Sequence, residues 1–413
     1  MSDPAPTPRG PMSRPLFRRL LVARFVSNLG NGMGPTALAF GVLALPGADG
    51  KDLGFVLAAQ AIPMVLLMPL GGVLADRRSR AAVIAVSDIV LGALVIAEGV
   101  LFATGAATVP VVAAINVVAG ALNALWWPAF PGLVPAILGD RDLQSGNSLV
   151  AVASNLSFIA GSAVAGVLVA TFGAGPALAV DGASFLVAGL LVLRLRSVTT
   201  AEPSGESVAR DLREGWGTFI SLRWLWVSVA VWSVINAVFR GVFEVGGPVL
   251  MERSFDGPRT WAILQTAMAV GFLVGAAVAA RLRPERPLRF LMLASFGLPL
   301  SMLALAGPAP FAVLAVAFFV VGMQIEFWGV LWPTVMQTHV PRDRLSRATA
   351  FDALGSMVLG PVGLAVSGPI IAAFGLPALF VASAVLAVVM LVLPLFEPEV
   401  RDMARLDADA TAP

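Results

Sequence analysis

The sequence predicts an all-α membrane protein, with twelve transmembrane helices in two pseudo-symmetric lobes of six. Three observations carry that expectation. The chain has 413 residues, 58% hydrophobic and only 13% charged, where soluble domains carry about 25% charged residues; its mean hydropathy is +0.88. The apolar residues gather into runs close to the roughly 20 residues that cross a bilayer as helix, and too long for barrel strands. The second half of the chain echoes the first.

The opening stretch, MSDPAPTPRGPMSRP, is polar and Pro-rich and reads as a short tail over residues 1–16. No signal-peptide pattern follows it. Spans begin near Phe17, Gly54, Ala81, Val109, Asn147 and Ala177, then near Trp224, Thr260, Leu288, Phe311, Thr349 and Leu376. Turns such as TGAAT (104–108) and GPAP (307–310) separate neighbours. Residues 17–195 therefore form one six-helix lobe and residues 224–397 the other. Residues 196–223 link them, and 398–413 form a second tail. The linker centre, VTTAEPSGES, lacks apolar periodicity, whereas DLREGWGTFISL (211–222) reads as an amphipathic helix on the membrane surface. A solvated helix between the lobes is the plainer reading.

Arginine placement sets the expected orientation. Arg9, Arg14, Arg18 and Arg19 open the chain; Arg77, Arg78 and Arg80 fill the second-to-third connection; Arg281, Arg283, Arg286 and Arg289 fill the eighth-to-ninth. Arg342, Arg344 and Arg347 precede the eleventh span, and Arg401 and Arg405 lie in the tail. The other side carries only Lys51, Arg253 and Arg259. The positive-inside rule then puts both termini in the cytoplasm. Arg almost to the exclusion of Lys, amid many Ala, Val and Gly, suits a GC-rich bacterial genome and hence a bacterial plasma membrane.

The halves match at specific residues. Gln60 corresponds to Gln265, Trp127-Pro128 to Trp332-Pro333, Gly161 and Gly166 to Gly363 and Gly368, and Phe172-Gly173 to Phe374-Gly375. Parallel repeats of this kind place a site near the midplane between lobes. With no Cys and one His, His339, the chain offers no disulfide, thiolate or His-based metal site. It shows no phosphate loop or catalytic triad signature. No cofactor, no enzymatic activity and no nucleic-acid partner are expected.

One stretch carries a recognisable pattern: GGVLADRRSR, 71–80. Gly72, Leu74, Ala75, Asp76, Arg77 and Arg80 resemble the second-to-third loop motif of the major facilitator superfamily; Ser79 and Ala81 depart from it. Physically, Gly72 would admit a neighbouring helix, and Asp76 would meet a positive helix N-terminus, worth about 0.3–1 kcal/mol. An ordinary basic loop is the plainer reading. The segments FRRLLVARFVSNLGNGM (17–33) and PAFPGLVPAILGDRDLQSGNSL (128–149) resemble the branch containing the enterobactin exporter and macrolide-efflux-like proteins. Asn31 replaces an acid common there, the fourth span lacks the arginine often linked to proton coupling, and Ser162 replaces a usual Pro. The resemblance implies the major facilitator fold, alternating access and a small-molecule substrate.

Polar side chains concentrate on four spans. The first carries Arg24, Asn28 and Asn31; the fourth Asn116, Asn123 and Trp127; the seventh Asn236, Arg240 and Glu244; the tenth Gln324, Glu326, Trp328 and Trp332. Several are spaced three or four apart and so share a face. In the resembled family these spans line the central cavity. For single Asn residues, inter-helix hydrogen bonding, worth about 0.6 kcal/mol on average, is as good a reading as substrate contact. For Arg240 and Glu244 a structural i,i+4 pair is the alternative. Trp126-Trp127 and Phe327-Trp328 offer faces for a flat or cationic ligand, or simply pack. Charges inside a membrane face a cavity or a partner, which makes Glu326 the first candidate for proton coupling, ahead of Glu244 and Asp88. Asp88 lies near enough the arginine-rich side to be solvated, Asp181 reads as solvated near the other side, and Glu98 is ambiguous. Asp352 either faces the cavity or packs near Asp76, and His339 reads as a surface residue without special role.

These residues lead to a secondary transporter, exporting a small amphiphilic molecule such as a drug, siderophore or natural product against proton entry. The partners expected are substrate, protons and lipid bilayer, with the chain a monomer. An importer or uniporter of the same fold stands beside this reading, as does a non-transporting sensor or scaffold, which would need no polar stripes facing a cavity. The motif is expected to act on conformational balance. Asp76→Asn should loosen the contact of the second and eleventh spans and favour the inward-open state, raising labelling of the cytoplasmic gate. Unchanged labelling with weakened ligand affinity would count against that role.

Overall fold

In a computed structural model of the chain, residues 10–138, 142–195, 208–307, 309–341 and 344–405 are described. The N-terminal tail to residue 9, the linker centre and Arg342 lie outside them. Twelve long helical elements follow: α1 (Pro15–Leu43), α2 (Gly50–Arg77), α3 (Arg80–Thr104), α4 (Val109–Ala129), α5 (Leu143–Phe172) and α6 (Ala174–Leu193), then α7 (Arg223–Ser254), α8 (Gly257–Ala279), α9 (Pro287–Ala306), α10 (Phe311–His339), α11 (Ala348–Phe374) and α12 (Leu376–Phe396). Eleven are long and apolar enough to cross a membrane. The exception is α1, which has the length, at 29 residues, but carries Arg18, Arg19, Arg24, Asn28 and Asn31. No strand occurs among the described residues.

Helix ends follow local chemistry. Pro15 starts α1 at a position where a missing N–H costs nothing. Asp49 and Asp52 form a reciprocal capping box at the start of α2. The joints α5–α6 and α11–α12 each turn on a single glycine, Gly173 (φ 79°) and Gly375 (φ 83°), a region side chains resist. That geometry accounts for the repeated Phe-Gly pair. Within α7, residues Gly241–Gly246 loosen into a π-helical turn.

The first lobe packs α2 on α4, α3 on α6, and α1 on both α5 and α6; the second packs α8 on α10, α7 on α11 and α9 on α12. The lobes join through α2 against α11 and α5 against α8. Repeated glycines fill repeated roles. Gly161 of α5 lies on the Leu29 backbone of α1, and its counterpart Gly363 of α11 lies on the Ala237 backbone of α7. Gly166 meets Pro258 and Ala262 of α8 across the lobe boundary, as Gly368 meets Gly50 and Lys51 of α2. Gly54 on Leu364 adds to the second contact. These close approaches between lobes sit at the end opposite the arginine-rich loops.

The outward surface keeps an apolar belt, including Leu66, Phe172, Leu300, Val316 and Phe374, as a lipid-facing surface requires. The linker helix Val208–Ser221 buries Phe219 and leaves Trp216 and Ile220 exposed. Trp216 and Phe219 both pack on Phe351 of α11, at ring-centroid distances of 5.6 and 6.0 Å. The tail folds back on the arginine-rich end. Arg286 pairs with Asp402 at 3.1 Å, and the Arg405 amide donates to the Glu285 carbonyl at 2.8 Å. The Arg401 hydrogen bond holds the Asp402 carboxyl below its usual range.

The motif glycine differs from its expected role. A side chain at Gly72 would meet nothing within 4 Å, whereas Gly71 lies directly on the Ala124 backbone of α4. The close approach belongs to Gly71, because of the two glycines it is the one that points from α2 into α4. Gly120 of α4 is equally tight on the Gln60 backbone. Gly120→Val should therefore destabilise the fold by at least about 1–3 kcal/mol, while Gly72→Ala should stay within about 0.5 kcal/mol. Thermal melting in detergent compares them; equal losses would contradict this packing.

Candidate functional site

The first lobe carries a charged cluster around Arg24. The helical spacing of α1 turns Arg24 into the lobe, where its Nε donates to Ser154 Oγ of α5 at 3.2 Å. Its guanidinium lies 4.8 Å from the Trp126 ring centre and 4.6 Å from that of Phe130, within cation–π range. Asp88 of α3 lies on the same cleft, beside Arg24 and Trp126. Arg24, Asp88, Trp126 and Phe130 line a cleft of about 10 Å³, room for roughly one water. A drug-sized molecule does not fit there. Arg24 Nη1 has no hydrogen-bond partner.

Three expectations are corrected here. Asp88 is 3% exposed rather than solvated, because Gly189 brings α6 against it. Asp181 is 4% exposed rather than solvated, because Gly30 and Gly34 bring α1 over it. Asn116 points within the lobe: its Nδ2 donates to Glu98 Oε1 of α3 at 2.9 Å and to the Val112 carbonyl at 3.0 Å. Of the tryptophan pair, Trp126 meets the cation, whereas Trp127 is 49% exposed. Asn31 donates to Asn28 Oδ1 at 3.3 Å, and Asn123 donates back to Ala119 of its own helix at 3.0 Å.

In the second lobe, Arg240 and Glu244 form the two-pronged pair that their spacing allows, at 2.9 and 3.0 Å. The pair bridges into the π-helical turn, a distortion often found at functional sites. Asn236 lies beside Gly360 of α11. The α10 stripe splits between its faces. Gln324 is buried against Gly297 of α9 with its Oε1 unpartnered. Trp328 donates to Ser295 of α9 at 2.8 Å and stacks on Trp232 of α7 at 4.6 Å. Trp332 donates to Asp352 of α11 at 2.9 Å. These three turn toward α7, α9 and α11 inside the lobe, which corrects the expectation that they face the centre together. Glu326, half a turn of helix away, is partly exposed and makes no ion pair among the described residues. No cluster of His, Asp and Glu suited to a metal occurs among them either.

At the motif, Arg80 packs its guanidinium on Gly132, after α4. Arg77 is exposed. The Asp76 side chain lies outside the described ones. Nearby, Arg14 bonds Asp142 at 3.2 Å and the Ile137 carbonyl at 3.0 Å, tying the start of α1 to the fourth-to-fifth connection. His339 shares its Nε2 with the Ala404 carbonyl at 3.1 Å, so it helps hold the tail.

Comparison with known proteins agrees with this architecture. Residues 20–357 match the model of the Major Facilitator Superfamily. The multidrug efflux pump Tap of Mycolicibacterium fortuitum is 26% identical over 415 residues, covering 96% of this chain and 98% of its own. Tap of Mycobacterium tuberculosis is 27% identical, covering 91% and 90%. The uncharacterized MFS-type transporter YfiS of Bacillus subtilis is 25% identical, covering 86% and 88%. The crystal structure of the nucleoside transporter NupG shares the fold, with a TM-score of 0.76 at 16% identity over 93% of this chain and 99% of that one. Two six-helix lobes, polar groups held inside them and a family match over most of the chain identify a multi-pass membrane transporter of small molecules, a member of the major facilitator superfamily.

Proposed function

We propose that the protein exports small amphiphilic molecules from a bacterial cell by alternating access, in exchange for protons. The observation that carries this is the one-ended closure of the lobes. Gly54, Gly166 and Gly368 seal them at the end opposite the arginine-rich loops. With those loops cytoplasmic, the conformation is inward-open, and both termini lie in the cytoplasm. An exporter loads from that state. The likeness to named multidrug efflux pumps over nearly the whole chain supports the direction. The protein acts as a monomer in this reading, with both lobes of the pathway supplied by one chain.

Asn28, Asn31, Asn123, Asn236, Arg240 and Glu326 supply polar contacts for substrate and proton. Glu244 is occupied by Arg240 and Asp88 is buried inside the first lobe; of these three candidates, the partly exposed Glu326 is taken as the coupling acid. Import or facilitated diffusion is the second reading, favoured by Asn31 where relatives of the resembled branch carry an acid.

The closed end can be locked. The chain has no Cys, and a Cβ at Gly50 would lie 3.4 Å from the Cδ1 of Ile371, across the lobe boundary. Gly50→Cys with Ile371→Cys should cross-link on oxidation without ligand and arrest transport reversibly. Cross-linking that leaves transport at full rate would refute alternating access through this interface. Ethidium flux into inverted vesicles tests coupling. A pH gradient, acidic inside the vesicles, should drive accumulation. Glu326→Gln should reduce it to the protein-free level while counterflow of ethidium survives. Accumulation by the variant at the wild-type rate would remove Glu326 from the coupling role.

A further inference from the structure

Asp181 occupies a site built around its carboxyl group. The side chain is 4% exposed, and its Oδ1 has no hydrogen-bond partner. Two glycines of α1, one turn apart, leave space for it. A Cβ at Gly30 would collide with Oδ1, and one at Gly34 would come within 2.7 Å of Oδ2. Ser184 Oγ also lies over Gly30, but it donates to the Asp181 carbonyl, at 2.7 Å, rather than to the carboxyl.

The neighbourhood supplies no positive charge. Glycine contacts fix the register of α6 on α3: Gly182 lies on Gly92, Gly175 on Gly99, and Gly189 on Asp88. Asp181 therefore falls between Asp88 and Glu98, roughly 7–8 Å along the axis from each. Three helices pack on α6. On α1 the charged groups are Arg18, Arg19 and Arg24; on α3 they are Arg80, Asp88 and Glu98; α5 carries none within Leu143–Phe172. Arg18, Arg19 and Arg80 sit in the opening turns of their helices, and Arg24 faces Asp88. The charge that reaches Asp181 is that of Glu98, whose own partner is the neutral Asn116.

A carboxylate here would be buried, unpaired and beside a second acid, an arrangement that costs several kcal/mol. A neutral carboxyl fits. We propose that Asp181 is a proton-binding site whose occupancy sets how closely α1 packs on α6. With the proton bound, the carboxyl lies in the Gly30–Gly34 cradle. When the O–H bond breaks and the proton passes to water, the carboxylate left behind draws in hydration and drives α1 away from α6. Arg24, Asn28 and Asn31 move with α1. This deepens the transport reading and rests on it only for the link to flux.

Infrared difference spectroscopy of the protein in liposomes reads the proton directly. Wild type at neutral pH should show a deuterium-sensitive carboxyl carbonyl band. Asp181→Asn should remove it, Asp181→Glu should restore it at a shifted frequency, and Glu326→Gln should retain it. Spin labels on Val22→Cys and Val187→Cys, both exposed positions on α1 and α6, should separate as pH rises through the range where the band titrates. In the Asp181→Asn background their distance should be pH-independent, and preserved labelling distances would also show that the variant is folded. A band unaffected by Asp181→Asn, or a label distance constant while the band titrates, overturns the proposal. If both signals behave as expected but ethidium flux ignores the pH gradient, proton-coupled export fails and the proton site stands.

Discussion

The structure depends on backbone meeting backbone between helices. Lipid is as apolar as a leucine side chain, so burying apolar surface gives little reason for one membrane helix to prefer another. Close van der Waals approach supplies that preference. Gly161 on Leu29, Gly363 on Ala237, Gly120 on Gln60 and Gly322 on Met268 are such approaches. Each brings helices to a separation that a Cβ would forbid. Once these contacts are set, the faces of α1, α4, α7 and α10 have little rotational freedom left.

Polar groups then fall where the glycines leave them. Gly30 and Gly34 admit Asp181; Gly189 admits Asp88; Gly297 admits Gln324; Gly360 admits Asn236. The pairing of a small residue with a buried polar one is physically economical. A helix close enough to exclude lipid also excludes water, so the polar group must be satisfied locally or neutralised. Asn116 with Glu98, Trp328 with Ser295 and Trp332 with Asp352 are satisfied in this way. Asp181 and Gln324 each retain an unpartnered oxygen.

Much of the fold was legible in the chain because it rests on local patterns. Span length follows from bilayer thickness, and the Phe172-Gly173 and Phe374-Gly375 repeats mark glycines whose φ no other residue tolerates well. The Arg240–Glu244 pair follows from i,i+4 spacing alone. The less legible part concerns which neighbour a face meets. Periodicity placed Asn116 and Trp328 on definite sides of α4 and α10. It could not tell a side facing α3 or α9 from a side facing the other lobe. The same ambiguity exchanged Gly71 for Gly72, since adjacent residues differ by about 100° around a helix. Asp181 was misread for a related reason: its distance from the helix end suggested solvent, and burial came from two glycines on α1, far away in sequence. The run Gly30-Asn31-Gly32-Met33-Gly34 was the available signal, an excess of small residues that had to be covering something.

The two lobes share a plan but distribute their chemistry differently. The first holds Asp88, Asp181 and Glu98 within its own helix contacts, with Arg24 as the cation facing Asp88 alone. The second holds a mutually satisfied Arg240–Glu244 pair and an aromatic group of Trp224, Trp232, Trp328 and Trp332. An ion pair that is complete within one helix is indifferent to small shifts of its neighbours. Acids held in place by packing against a second helix are not, because opening that contact changes their solvation directly. The proposed response to charge therefore belongs to the α1–α6 seam rather than to the π-turn of α7.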